Sequence, residues 1–244
     1  MPFLNPTGLS LVDIVMLAII LIALPLEALL TLKKGRAELA ADAPGVRVKH
    51  YTTTIFMLWA VALPIIVLWA ASDRNWAELG FQVQTGWLAW SGWGLAALIA
   101  AFFAFQFSMV AGSESVREQF RDGLSKNPLI SNFMPKTEDE RHLFHLLGVT
   151  AGITEEIIFR GYLIWALALI MPVWAAALGA LAIFTLLHLY QGAQQLPSIF
   201  AIGALVTLVF LLSGSLWPAI ALHVFVDMIN NSTAWKARMS PVAA

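Results

Sequence analysis

The chain has 244 residues, 59% of them apolar and only 12% charged, with 14 Lys+Arg against 15 Asp+Glu, five His and no Cys. With a mean hydropathy of +0.78, that composition excludes a disordered chain and an ordinary soluble domain, where about 25% of residues are charged. The net charge of −1 excludes nucleic-acid binding by bulk charge, and the lack of Cys excludes disulfides, thiol nucleophiles and thiolate metal sites.

A bilayer core takes roughly 20 mostly apolar residues per helix. Seven stretches qualify: about Leu9–Leu32, Thr53–Ala71, Gly86–Ala111, Leu146–Met171, Pro172–Leu189, Pro197–Leu212 and Leu216–Ala234. The expected fold class is therefore all-α, a polytopic membrane helix bundle of about seven transmembrane helices. The runs lack the strict alternation of a membrane barrel. No Lys or Arg precedes the first stretch, and it is longer than the apolar part of a signal peptide, so it is expected to stay as an anchor. The longest connection, 112–141, contains Val116, Phe120 and Leu124 at spacings of four. Ser113–Leu124 thus reads as a helix, either lying on the cytoplasmic face or serving as an ordinary amphipathic connector. Gly148 and Gly152 form a small-xxx-small pair that lets another helix approach closely.

Orientation follows from the cations. Lys33, Lys34, Arg36, Arg47 and Lys49 fall in a loop 33–50. Arg117, Arg121, Lys126, Lys136 and Arg141 fall in 112–141, and Lys236 and Arg238 in the tail. With seven spans, these twelve share one side and Arg74 alone lies opposite. That places the N-terminus outside and the C-terminus in the cytoplasm.

Ionisable groups within apolar spans cost about 2.5–3.5 kcal/mol each on insertion scales, so a cluster of them calls for a purpose. The fourth span carries Thr154-Glu155-Glu156-Ile157-Ile158-Phe159-Arg160, the fifth ends on Phe184-Thr185-Leu186-Leu187-His188, and the seventh contains His223-Val224-Phe225-Val226-Asp227. Glu156 and Arg160 are i,i+4 neighbours and pair on one face. Glu155 lies about 100° around the helix and must find its partners on other segments. His188, His223 and Asp227 sit at a similar depth, and Asp227, four residues after His223, is placed to orient the imidazole. The bland reading is helix–helix glue, which explains one such group better than six at one level. His142 and His145 read as a solvated helix face. Asp13 and Glu27, near the ends of the first span, read as snorkelling groups. Trp76, Trp87, Trp217 and Trp235 suit an interfacial belt.

The order Glu155-Glu156-x-x-x-Arg160, Phe184-x-x-x-His188, His223-x-x-x-Asp227 resembles the CPBP intramembrane proteases, which include the CAAX prenyl endopeptidases of the Rce1 type and the bacterial Abi, or bacteriocin-processing, proteins. The strings Thr154–Leu163 and His188-Leu189-Tyr190-Gln191-Gly192 also look like bacterial members. The resemblance covers roughly 140–232 and divides the chain into N-terminal transmembrane helices with a cytoplasmic amphipathic loop (1–139), CPBP-like catalytic helices (140–234) and a cytoplasmic tail (235–244). It implies peptide-bond hydrolysis in a bacterial inner membrane, with Glu155 activating water and Glu156, Arg160, His188, His223 and Asp227 completing the catalytic set. Many members carry Asn where this chain has Asp227, so orienting His223 or binding a cation suits this residue better than donating to an oxyanion. The implied partners are the membrane and a peptide or lipid-modified protein substrate, and no nucleic acid.

In the favoured mechanism no cofactor acts: Glu155 takes a proton from a water also held by His188, and His223 stabilises the oxyanion. The alternative is a Zn²⁺ ion on Glu155, His188, His223 and Asp227, although no His-Glu-x-x-His pair exists. No Gly-x-Ser-x-Gly elbow and no second membrane Asp supports other protease chemistry. Two non-protease readings compete. One is a non-catalytic bacteriocin-immunity or membrane-binding protein of the same fold, which has no need of an unpaired Glu155. The other is a proton-relay transporter, which calls for inverted repeats that the sequence lacks.

Overall fold

The computed structural model describes residues 9–239, and among these no strand occurs. Nine helical elements follow one another. The first, α1 (Leu11–Ala41), is interrupted by one π turn at Ile19–Ala23. Then come α2 (Val46–Ala70), α3 (Trp87–Gly112), α4 (Glu114–Ser125) and the short α5 (Pro128–Phe133). The sixth, α6 (138–168), is α-helical over Glu138–Glu155, π-helical over Glu156–Leu163 and α-helical again over Ile164–Ala168. Next, α7 (Val173–Leu187) ends in the 3₁₀ turn His188–Gln191, and α8 (Leu196–Ser213) and α9 (Leu216–Met239) close the chain.

The surface is inverted relative to a soluble protein. Large apolar side chains such as Leu11, Leu30, Phe56, Trp87, Leu98, Ile170 and Trp174 stand exposed on the outside, as expected where lipid is the solvent. Five helical stretches are long and apolar enough to cross a bilayer: Leu11–Ala41, Val46–Ala70, Trp87–Gly112, Val173–Gln191 and Ala193–Ser213. The chain is a multi-pass membrane protein. The expected count of seven is not reached on that criterion, because α6 and α9 carry the polar groups that lower their hydropathy. The reason lies in packing. Every residue from 156 to 168 is buried, so this part of α6 is solvated by protein rather than lipid. Packed against α2, α7 and α9, it is the central helix of the bundle.

Close approach of α9 to α6 depends on the two predicted glycines. A Cβ on Gly152 would lie 2.5 Å from Val224 Cγ2 and 2.7 Å from Val224 N. One on Gly148 would meet Asp227 Cβ at 3.2 Å and Asn231 Nδ2 at 3.3 Å. The small-xxx-small pair thus sets the helix spacing at the level of the polar cluster.

Several expectations change. The cationic loop 33–50 is mostly helix, since α1 runs to Ala41 and α2 begins at Val46. Ion pairs support this extension: Glu38 accepts from Lys49 at 3.0 Å, and Arg47 Nε reaches Glu140 at 2.9 Å and also pairs with Asp42. Lys136 pairs with Asp42 too, and these hydrogen bonds, from Lys136 first and Arg47 second, push the Asp42 carboxyl down to about 2. Asp13 does not snorkel. It is fully buried and caps its own helix with Ser10. Both its oxygens bind Arg74, one at 2.8 Å. The Arg74 guanidinium lies over Trp69 and Trp165 at 5.0 and 4.8 Å, and Tyr162 Oη donates to Asp13. A charge this deep is held by a partner, not by reach to water. Glu27 is exposed, as are Trp76, Trp87 and Trp217. The helix expected at Ser113–Leu124 forms, with Ser113 as its cap. Of the expected tail, residues up to Met239 continue α9, and 240–244 lie outside the described residues.

Candidate active site

Where α6 widens from α to π geometry, two successive glutamates reach the same histidine. Glu156 Oε1 accepts from His223 Nδ1 at 2.7 Å, and Glu155 Oε2 lies 3.8 Å from His223 Nε2. In a regular helix adjacent side chains diverge by about 100°. Here the imidazole inserts between them, each carboxylate facing one ring nitrogen. A single π turn of this kind is common where a helix builds a site.

Glu156 is completely buried and shared. Besides His223 it accepts from Arg160 Nη1 at 2.9 Å, which realises the i,i+4 pair expected from the sequence. Arg160 is equally enclosed. Its Nη2 donates to the Gly203 carbonyl at 3.1 Å and its Nε to Thr207 Oγ1 at 3.3 Å, while its guanidinium covers the Phe184 ring at 4.5 Å. A buried guanidinium needs such a complete set of partners. Thr207 and Gly203, on α8, were not found from the sequence. A threonine in an apolar helix is too common to stand out.

Asp227 was expected to orient His223 through its i,i+4 spacing. The structure gives that position to Glu156, because Nδ1 is engaged there. Asp227 Oδ2 instead stands 3.9 Å from Nε2, on the same side of the ring as Glu155. Two carboxylates therefore flank the free edge of one imidazole. Glu155 Oε2 is itself shielded from solvent and has no hydrogen-bond partner. A buried carboxylate oxygen left without a donor costs on the order of 1–3 kcal/mol, and more when charged, unless water or a ligand occupies the gap.

His188 closes the site from the end of α7. Its Nδ1 is 2.8 Å from the Phe184 carbonyl oxygen. A carbonyl only accepts, so Nδ1 carries the proton and Nε2 keeps its lone pair in the neutral ring. The Phe184 ring centroid is 4.5 Å from that of His188 and 6.3 Å from that of His223. Tyr190 stacks on His188 at 6.0 Å. Among the described residues His188 forms no ion pair with Glu155 or Asp227; it shares the cluster through Phe184. His142 is exposed and His145 half-buried on the N-terminal part of α6, away from the cluster.

The four candidate zinc ligands do not converge as a metal site. Among the described residues no group of three or more His, Asp or Glu side chains is arranged to hold a metal ion, although each histidine, with Nδ1 held by a protein oxygen, keeps its Nε2 available. No step is therefore routed through a metal.

None of the curated proteins or solved structures compared with the chain matches it. A protein-family model does, and every residue of the cluster just described falls within its span: residues 140–229 match the family described as type II CAAX prenyl endopeptidase Rce1-like.

Proposed function

We propose that the protein is an intramembrane endopeptidase in which Glu155 activates water to hydrolyse a peptide bond of a membrane-associated substrate. The observation that carries this reading is the buried, partnerless Glu155 Oε2 facing His223 Nε2 across 3.8 Å. One water at about 2.8 Å from each atom fits beside that line.

The residues divide the work by their hydrogen-bond capacity. Water donates one proton towards Glu155 and the other towards His188 Nε2, which leaves an oxygen lone pair for the carbonyl carbon. As the C–O bond forms, Glu155 takes the proton and the carbonyl oxygen becomes an oxyanion. His223, held by Glu156 through Nδ1, presents its protonated Nε2 to that oxygen, with Asp227 balancing the ring's charge. Glu155 then passes its proton to the amine nitrogen and the C–N bond breaks, releasing an amine and a carboxylic acid. The acid's remaining proton, the one that pointed at His188 Nε2, passes through that nitrogen to the amine, so that a carboxylate and an ammonium leave. Arg160 fixes Glu156 and so the imidazole. No metal takes part in this scheme.

The family description points to a prenylated C-terminal peptide as substrate. The cation distribution supports a site in the cytoplasmic half of the membrane with the N-terminus outside, the motif resemblance supports a bacterial inner membrane, and counting α6 and α9 as spans makes seven. At 24 residues, α9 is about 36 Å long, enough to cross. The test is to express wild type and Glu155→Ala in the same membranes and compare cleaved with intact lipidated peptide. Product from wild type alone supports the assignment; equal product from both rejects it.

A further inference from the structure

The family match begins at residue 140, yet one hydrogen bond ties the N-terminal helix to the site. Arg36, near the C-terminal end of α1, donates from Nη2 to the carbonyl oxygen of Leu189 at 2.6 Å. Leu189 follows His188 in the 3₁₀ turn His188–Gln191. Its carbonyl lies just past the C-terminus of α7, where helix carbonyls lack amide partners and negative charge gathers. The same oxygen accepts from Gly192 N at 3.0 Å. Arg36 thus anchors the turn through the acceptor that closes it.

Other contacts also restrain this turn. His188 Nδ1 is bonded to the Phe184 carbonyl of its own helix end, Tyr190 stacks on His188, and Phe133 of α5 packs edge-on against Tyr190 at 5.7 Å. The ring contacts are apolar and tolerate sliding. The Arg36 bond is directional and charge-assisted, of the kind that fixes a carbonyl in place. Among the described residues Arg36 has no carboxylate partner within ion-pair distance, and its Nε is shielded from solvent with no hydrogen-bond partner. Its guanidinium is committed to this carbonyl rather than to a surface ion pair.

We propose that Arg36 is a positioning residue of the active site: it holds the His188 turn so that Nε2 faces the attacking water, and α1 thereby completes a site otherwise built from residues 140–229. The proposal rests on the peptidase reading above for its catalytic consequence, but not for the strap itself.

Arg36→Met, Arg36→Lys and Glu155→Ala in lipid nanodiscs test it, with cleavage of a lipidated reporter peptide, melting temperature and amide exchange measured for each. Arg36→Met is expected to speed exchange in the segment 188–195 but not around His223. It should lower kcat about tenfold, a fraction of the roughly 100-fold attributed to a 1 Å misplacement, with KM and melting temperature unchanged. Arg36→Lys should restore part of kcat, since an ammonium still reaches the carbonyl. Unchanged exchange in Arg36→Met overturns the strap whatever the activity shows. Unchanged kcat, or a loss that tracks melting temperature and is not restored by Lys, overturns the positioning role. Wild-type cleavage by Glu155→Ala is a separate failure, that of the peptidase reading alone.

Discussion

Substituting Gly152 by Ala tests whether the α6–α9 spacing sets the site. The new Cβ would stand 2.5 Å from Val224 Cγ2, 2.7 Å from its backbone N and 2.9 Å from its Cα. Ordinary carbon contacts lie at about 3.5–4.0 Å, so α9 must retreat by about 1 Å; backbone atoms have no rotamer with which to escape. His223 precedes Val224 and moves with it. The 2.7 Å bond to Glu156 would stretch to about 3.7 Å, beyond hydrogen-bond range. Overpacking costs about 1–3 kcal/mol, and a 1 Å misplacement about 100-fold in rate. Thermal melting in detergent and cleavage of a lipidated peptide in proteoliposomes measure the two effects. Gly148→Ala should lose less, since its contacts are at 3.2 and 3.3 Å to side-chain atoms. Gly94→Ala, with nothing within 4 Å, should lose nothing. Wild-type melting and cleavage in Gly152→Ala would refute the reasoning.

Glu156→Gln should destabilise the protein by about 3–5 kcal/mol by leaving Arg160 buried without its counter-charge, and should abolish cleavage; a melting temperature equal to wild type would contradict this. Asp13→Asn should lower the melting temperature through the loss of Arg74's partner while the folded fraction keeps its kcat, as read by active-site titration alongside melting. Asp42 is held below its ordinary value of 3.8, at about 2, by Lys136 and Arg47. A lowered carboxyl contributes stability above its unfolded value that fades as pH falls through the folded one. The melting gap between wild type and Asp42→Asn should therefore be constant above about pH 4 and shrink towards pH 2. A gap independent of pH would count against the pairing. Cleavage by pure protein should survive exhaustive chelation, and recovery only on adding zinc would contradict the metal-free mechanism.

Much of this architecture is legible in the residues. The apolar runs locate the helices to within a few positions, apart from their polar extensions such as 33–41. Gly148 and Gly152 announce the tight crossing, and Glu155, His188 and His223 stand out because charge in an apolar span is rare. What the sequence does not disclose depends on long-range pairing. Glu155 and Glu156 keep α-helical dihedrals, so the helix wheel separates them by about 100°; it cannot disclose that the His223 ring of another helix lies between them, with Glu156 rather than Asp227 on Nδ1. Asp13 and Arg74 are 61 residues apart, and Arg36 and Leu189 are 153 apart; no periodicity connects such pairs. Helices α6 and α9 are not among the five candidate spans, and the polar groups that keep them out are what makes them informative. Their polar faces are solvated by neighbouring helices.

The most direct measurement is single-turnover cleavage by wild type and Glu155→Gln, reconstituted side by side in proteoliposomes. The amide keeps the size and burial of the side chain and removes its capacity to take a proton from water. A general base contributes about 10²–10⁴ in rate, so cleavage should fall by at least about 100-fold with melting unchanged. A Glu155→Gln protein that cleaves at close to the wild-type rate would contradict the account.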